Sequence, residues 1–132
     1  MGSIWVRRGE IDRQALNEAL AALARGEVLG IAPEGTRARD VHALQEGKSG
    51  VAYLATRANV PVVPVGITGT EKIISSLLRL HRACVRVVVG QPFFLPENGR
   101  VRGQLLREYT DLVMHRIADL LPEEYRGVYS RS

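Results

Sequence analysis

The sequence predicts an α/β fold: a mostly parallel central sheet with helices on both faces. Apolar runs at residues 28–32 and 60–67, and the run 85–89 interrupted only by Arg86, have strand length and read as strands, the first of them buried on both faces. Amphipathic segments of helical period stand between them, giving the alternation that builds parallel sheets. The run 28–32 breaks at Pro33 into the polar loop 34–39, at the carboxyl end of a strand, where such sheets bind ligands.

In chain order, residues 4–6 are apolar and β-prone and form the first expected strand. Asp12 can cap a helix whose apolar positions Ala15, Leu16, Ala19, Leu20 and Leu23 recur at helical spacing, ending before Gly26. The run 28–32 is the second strand. Ser49 can cap a helix through Val51, Ala52, Leu54 and Ala55 that ends around Asn59, and 60–67 is a third strand despite Pro61 and Pro64. Ile73, Ile74, Leu77, Leu78 and Leu80 form an amphipathic stretch, expected to face the core, and 85–89 is a fourth strand. Leu105, Leu106, Tyr109, Leu112, Val113, Ile117 and Leu120 mark a closing helix stopped by Pro122.

A chain of 132 residues has room for one domain with one core, expected to span residues 1–132, and 45% hydrophobic with 24% charged residues is an ordinary globular balance. Eighteen basic against fourteen acidic residues leave a net +4, which suits nucleic acid, acidic phospholipid headgroups or small phosphate esters, or simply a solvated basic surface. Nucleic acid is disfavoured, because the two Phe, one Trp and four Tyr are not interleaved with basic residues. The single cysteine, Cys84, cannot form an internal disulfide; it is expected as a small buried apolar residue in a reducing compartment. No apolar stretch reaches the ~20 residues of a spanning helix, and no signal peptide is expected.

The chemistry concentrates in Pro33-Glu34-Gly35-Thr36-Arg37-Ala38-Arg39. Gly35 permits close backbone approach, Thr36 offers a hydroxyl, and Arg37 a planar fork that suits two oxygens of one phosphate. Glu34 would repel a bare phosphate unless it pairs with an arginine or accepts a bond from a ligand hydroxyl, so a polyol phosphate satisfies both groups. An ordinary strand-to-helix turn with solvated charges accounts for the same residue types.

This loop resembles the EGTR motif of the glycerolipid acyltransferases, the 1-acyl-sn-glycerol-3-phosphate (lysophosphatidic acid) acyltransferase type. In that family its Glu, Gly and Arg help bind the acyl acceptor. Gly2-Ser3-Ile4-Trp5-Val6-Arg7-Arg8 resembles the family's G-x-I-F-I-x-R block, whose last arginine, here Arg8, is implicated in holding the glycerol phosphate. Val60-Pro61-Val62-Val63-Pro64-Val65 resembles its V-P-x-x-P block, which implies that Pro61 and Pro64 shape the site and adjoin the acyl chain. Gly47-Lys48-Ser49-Gly50 resembles a phenylalanine-lysine-x-glycine turn with the aromatic replaced, making Lys48 a candidate second phosphate ligand. Each block alone is weak; four in family order are strong. The resemblance covers the first half of the chain, and Val89-Gly90-Gln91-Pro92 also fits a family strand end. It implies the glycerol-3-phosphate acyltransferase-like fold and, here, the carboxyl-terminal portion of that domain, truncated at its amino terminus.

Acyl transfer to a hydroxyl needs a base, and the family's H-x4-D block supplies histidine with an orienting aspartate. That block is expected before Gly2. The residues five after His42, His81 and His115 are Gly47, Arg86 and Leu120, so none of the three histidines has this spacing. Asp119 lies four after His115, a spacing that reads as a surface ion pair on the closing helix. A fragment lacking its first strand and helix, a partner polypeptide that supplies the histidine, or a non-catalytic binder all fit.

The resemblance thus implies a substrate site of Arg8, Glu34, Gly35, Thr36, Arg37, Lys48, Pro61 and Pro64, with no catalytic residue in the chain. It implies transfer of a fatty acyl group from acyl-CoA or acyl carrier protein to 1-acylglycerol-3-phosphate in phospholipid biosynthesis, with no metal or other cofactor. The alternative is a non-catalytic lipid-phosphate-binding module. A cytoplasmic location is expected, peripheral on the inner face of the membrane, with the stretch 73–80 and Lys72, Arg79 and Arg82 as the alternative interfacial contact to a core-facing helix.

Overall fold

A computed structural model of the protein describes residues 13–34, 43–80, 82 and 84–130. The elements in order are α1 (Arg13–Ala24), α2 (Gly50–Ala58), β1 (Val65–Thr68), α3 (Ile73–Leu78), β2 (Arg86–Val89) and α4 (Gly103–Ala118). Short 3-10 turns at Thr70–Lys72, Glu123–Tyr125 and Gly127–Tyr129 complete the path.

The helices follow the sequence reading. In α1 the buried positions Ala15, Ala19 and Ala22 lie on one stripe, with Leu16, Leu20 and Leu23 half-buried beside it. α1 packs on α2, and α2 on α4. α2 buries Ala52, Leu54, Ala55 and Thr56, and the Thr56 hydroxyl satisfies itself by donating to the Ala52 carbonyl at 2.7 Å. It ends at Asn59 in the left-handed region, φ 51°, whose N–H bonds back to the Ala55 carbonyl. Ser49 does not cap it through its side chain: it is itself helical, with no side-chain capping bond. Asp12 and the strand expected at 4–6 lie outside the described residues.

One apolar cluster joins Ala52 and Ala55 of α2 to Leu95, Val101, Tyr109 and Val113. A second gathers Leu44, Met114, Ala118, Leu121 and Tyr129, so α4 serves both and is the central element of the described fold.

The expected mostly parallel sheet is not present among the described residues. The sheet there has two strands, β1 and β2, paired antiparallel with Val65 opposite Val89 and Thr68 opposite Arg86. Two causes are visible. The run 28–32 forms no strand at all; Val28 is 98% exposed. The connection 69–85 is long enough for a parallel crossover, but it turns the chain back instead. Gly69, at φ 88°, is the hinge of that reversal, since a Cβ on it would overlap the Cys84 carbonyl oxygen. Pro61 and Pro64 shorten the expected strand 60–67 to its last residues, because neither offers a ladder N–H. Val62 still pairs with Phe93 in an isolated bridge, and the Pro64 carbonyl takes the Gly90 N–H at 2.8 Å.

The sheet's inner side turns Gly66 toward Leu120 and Leu121 just beyond α4, while Val65, Ile67, Val87 and Val89 on the other side are exposed. Two further expectations are reversed. Cys84 is exposed, not buried. α3 does not face the core: Leu77 and Leu78 are 76% and 81% exposed.

Candidate functional site

Of the residues singled out in the sequence, Arg8, Gly35, Thr36 and Arg37 lie outside the described residues, as do His42 and His81. Glu34, Lys48, Pro61 and Pro64 can be placed.

Glu34 sits in a turn with Pro33 and is half-buried. Its Oε2 accepts the Gln45 backbone N–H at 3.0 Å, and the Pro33 carbonyl accepts the Lys48 N–H at 2.8 Å. These two bonds join the chain just before the segment 35–42 to the chain just after it, so the base of that segment is fixed at two points. Among the described residues Glu34 Oε1 accepts no bond and remains available to a ligand hydroxyl. The Lys48 side chain is exposed.

The fixed base is itself anchored by the far end of the chain. Gly47 donates its N–H to the Tyr129 hydroxyl at 2.9 Å, and Leu44 donates to the Tyr125 carbonyl at 2.8 Å while its own carbonyl takes the Val128 N–H at 3.4 Å. Tyr129 is buried, and its ring meets the His115 ring edge-on, centroids 5.1 Å apart. Burial pushes the Tyr129 hydroxyl above the usual tyrosine range; the bond from Gly47 works against this, and Asp111, Glu46 and Glu34 reinforce it by repelling a phenolate.

The sequence reading missed Tyr129 and Gln45 as supports of the loop. A tyrosine past a proline-terminated helix carries no local signal, and Gln45 reaches Glu34 through its backbone N–H, which any residue type would offer.

Replacing the hydroxyl tests the anchor. Tyr129→Phe leaves the half-buried Gly47 N–H without its acceptor and should lower unfolding free energy by about 1 kcal/mol in urea titrations at neutral pH. Because the folded state holds this proton more tightly than the unfolded chain, the stability it gives is intact below the unfolded value of about 10. It is lost as pH rises through the folded value. The alkaline fall in stability should therefore be shallower in Tyr129→Phe than in the parent.

Pro61 and Pro64 occupy a different place, at the entry to β1. Pro61 is exposed, whereas Pro64 is buried against Gly90. Pro64 lies within the segment 62–65 that pairs with 89–93, and Pro61 just before it.

A shallow groove along α4 is lined by Glu108, Asp111, Leu112, His115, Arg116 and Asp119. Three carboxylates against one arginine make it a poor phosphate site. Among the described residues no His, Cys, Asp and Glu group is arranged to hold a metal ion, and no helix is long and apolar enough to cross a membrane.

Comparison with known proteins supports the resemblance drawn from the motifs. The acyltransferase family model matches residues 1–68, which include Arg8, the whole 33–39 loop, Lys48 and both prolines. The 1-acyl-sn-glycerol-3-phosphate acyltransferase BAT2, chloroplastic, of Brassica napus is 32% identical over 89 residues, or 66% of this chain. The aligned part spans 25% of that relative's length. No solved structure matches the chain. The chain belongs to the glycerolipid acyltransferase family.

Proposed function

We propose that this chain carries the acceptor-binding part of a 1-acylglycerol-3-phosphate acyltransferase of phospholipid biosynthesis, with acyl-CoA or acyl carrier protein as donor. The observation that carries the reading is the Glu34 turn. A half-buried carboxylate, fixed through one oxygen and open at the other, opens the EGTR block and lies in the segment matched to the family. In this reading Arg8 and Arg37 hold the phosphate, with Lys48 as a further cation, and Glu34 Oε1 accepts a bond from a glycerol hydroxyl. Gly35 and Thr36 complete the cradle, and Pro61 and Pro64 bound the acyl chain.

The reaction joins the free acceptor hydroxyl oxygen to the thioester carbonyl carbon and breaks the carbon–sulfur bond. The hydroxyl proton passes to a base and then to the leaving thiol. Holding the acceptor in place lowers the entropic part of that barrier. No metal or other cofactor enters the scheme. The base is a histidine oriented by an aspartate; no such H-x4-D pair occurs in these 132 residues, so it comes from outside them.

That same observation favours a second reading, a lipid-phosphate-binding module without catalysis. Incubating the purified chain with labelled acyl-CoA and lysophosphatidic acid separates the two. Turnover that appears only when a separate polypeptide carrying the H-x4-D block is added, and that Arg37→Ala abolishes, supports the transferase; saturable binding of lysophosphatidic acid without turnover even then supports the module. Failure to bind lysophosphatidic acid at all would sink both.

A further inference from the structure

The two-stranded sheet has its more apolar side outward. An antiparallel sheet that rests one side on a core places apolar residues there and polar ones toward water. Here the side facing Leu120 and Leu121 holds Gly66, Thr68, Arg86 and Val88, whereas the opposite side holds Val65, Ile67, Val87 and Val89.

Those four outer residues are 41%, 53%, 57% and 64% exposed. They stand as two cross-strand pairs, Val65 opposite Val89 and Ile67 opposite Val87. Val63 and Val85, the alternate positions ahead of each strand, are exposed as well, one at each end of the ladder. Single apolar side chains in water are ordinary, but six β-branched ones on one small sheet are not. A sheet of only two strands is also marginal by itself and gains from a cover.

The chemistry of this face decides what covers it. It carries no ionisable group and no side-chain hydrogen-bonding atom, so nucleic acid, a charged peptide or a polar small molecule would lose hydration against it without return. A second copy of the chain matches it on every count. The same aliphatic pairs stand on both sides, and the one ionisable residue of the two strands, Arg86, belongs to the other side, so the chain's net +4 is kept out of the contact. A two-fold axis sets such a patch against itself. Six partly exposed side chains fall short of the ~800 Å² per partner of a standard interface, so the pair is weak and concentration-dependent.

We propose that the outer face of β1 and β2 is a self-association surface, on which two copies of the chain pack sheet against sheet about a two-fold axis. Val65, Ile67, Val87 and Val89 form its centre, with the two sheets about 10 Å apart. None of these residues belongs to the acceptor site, so the pairing stands whether or not the chain binds lysophosphatidic acid.

Sedimentation equilibrium of the full chain, from low micromolar to millimolar concentration, tests this. The parent should shift from monomer to dimer across that range. Ile67→Lys should weaken dimerisation on the order of a hundredfold, with the circular dichroism spectrum and urea midpoint unchanged because the monomer leaves residue 67 half in water. Leu78→Lys, at an exposed leucine outside the face, should leave the dimer as it is. A mixture of Ile67→Lys and Ile67→Glu should associate more tightly than either variant alone, since each alone sets like charges across the axis. Added salt should not dissociate the parent dimer, because no ion pair holds it. A parent that stays monomeric, a dimer that Ile67→Lys leaves intact, equal loss in Leu78→Lys, dissociation by salt, or no gain in the mixture overturns the proposal. A monomeric parent that binds neutral phosphatidylcholine vesicles and is released by Ile67→Lys would give the face to lipid and overturn it too.

Discussion

Met114→Ala should lower the unfolding free energy by about 3 kcal/mol and the melting temperature by on the order of 10 °C. Met114 has no solvent exposure and lies among Leu44, Ala118, Leu121 and Tyr129, where α4 meets the segment after the candidate acceptor loop and the chain's last turn. Truncation removes its buried methylenes and sulfur and leaves a cavity on which those segments cannot readily close, since each is also held by backbone hydrogen bonds. Leu78→Ala, which deletes a side chain 81% exposed, should stay within about 0.5 kcal/mol under the same urea titration. A double-mutant cycle localises the effect. A Cβ on Gly47 would overlap Met114 Cγ, so Gly47→Ala is costly alone, and in the Met114→Ala background it enters the vacated space. The pair should lose less than the sum of the singles; strict additivity would place Met114 away from the loop base.

Local periodicity made the helices legible. α1, α2 and α4 lie where apolar spacing, Gly26, Asn59 and Pro122 put them, because a helix satisfies its own backbone within a few residues. Strand pairing is decided at a distance, and there the sequence misled. The run 28–32 has strand composition but no partner among the described residues. The sense of the β1–β2 pair turns on the left-handed Gly69 packing against the Cys84 backbone, which no periodicity records. α3 shows the same gap in reverse: its amphipathic spacing is real, yet spacing does not say whether the apolar side meets core or solvent.

The candidate site divides in the same way. Glu34, Lys48 and the two prolines could be named from local residue types and motif order. The support under Glu34 could not be named: it runs from Gln45 and Gly47 to Tyr129, 82 residues further along the chain. A buried tyrosine hydroxyl needs a partner, but the sequence offers every backbone N–H as an equal candidate.

That long-range support sets up the second large effect, Gly127→Ala. Gly127 has φ 54°, and a Cβ there would overlap the carbonyl oxygen and backbone carbon of Leu44. The alanine therefore brings both left-handed strain, about 1–2 kcal/mol, and a clash between two backbones that neither can avoid by changing rotamer. Gly99→Ala isolates the first part, since Gly99 also has positive φ, 97°, but open space where its Cβ would go. Gly127→Ala should thus exceed Gly99→Ala by about 1 kcal/mol or more in urea titrations. The relief available to Gly127→Ala is undocking of the last turn, which breaks the Leu44–Val128 and Gly47–Tyr129 bonds together. Amide hydrogen exchange at Val128 and Gly47 should then accelerate in Gly127→Ala and stay unchanged in Gly99→Ala. Equal exchange in both variants would mean that the last turn does not hold the loop base. Lysophosphatidic acid affinity, where the chain binds it, should fall with the same variant, because Glu34 is aligned through the backbone that this joint restrains.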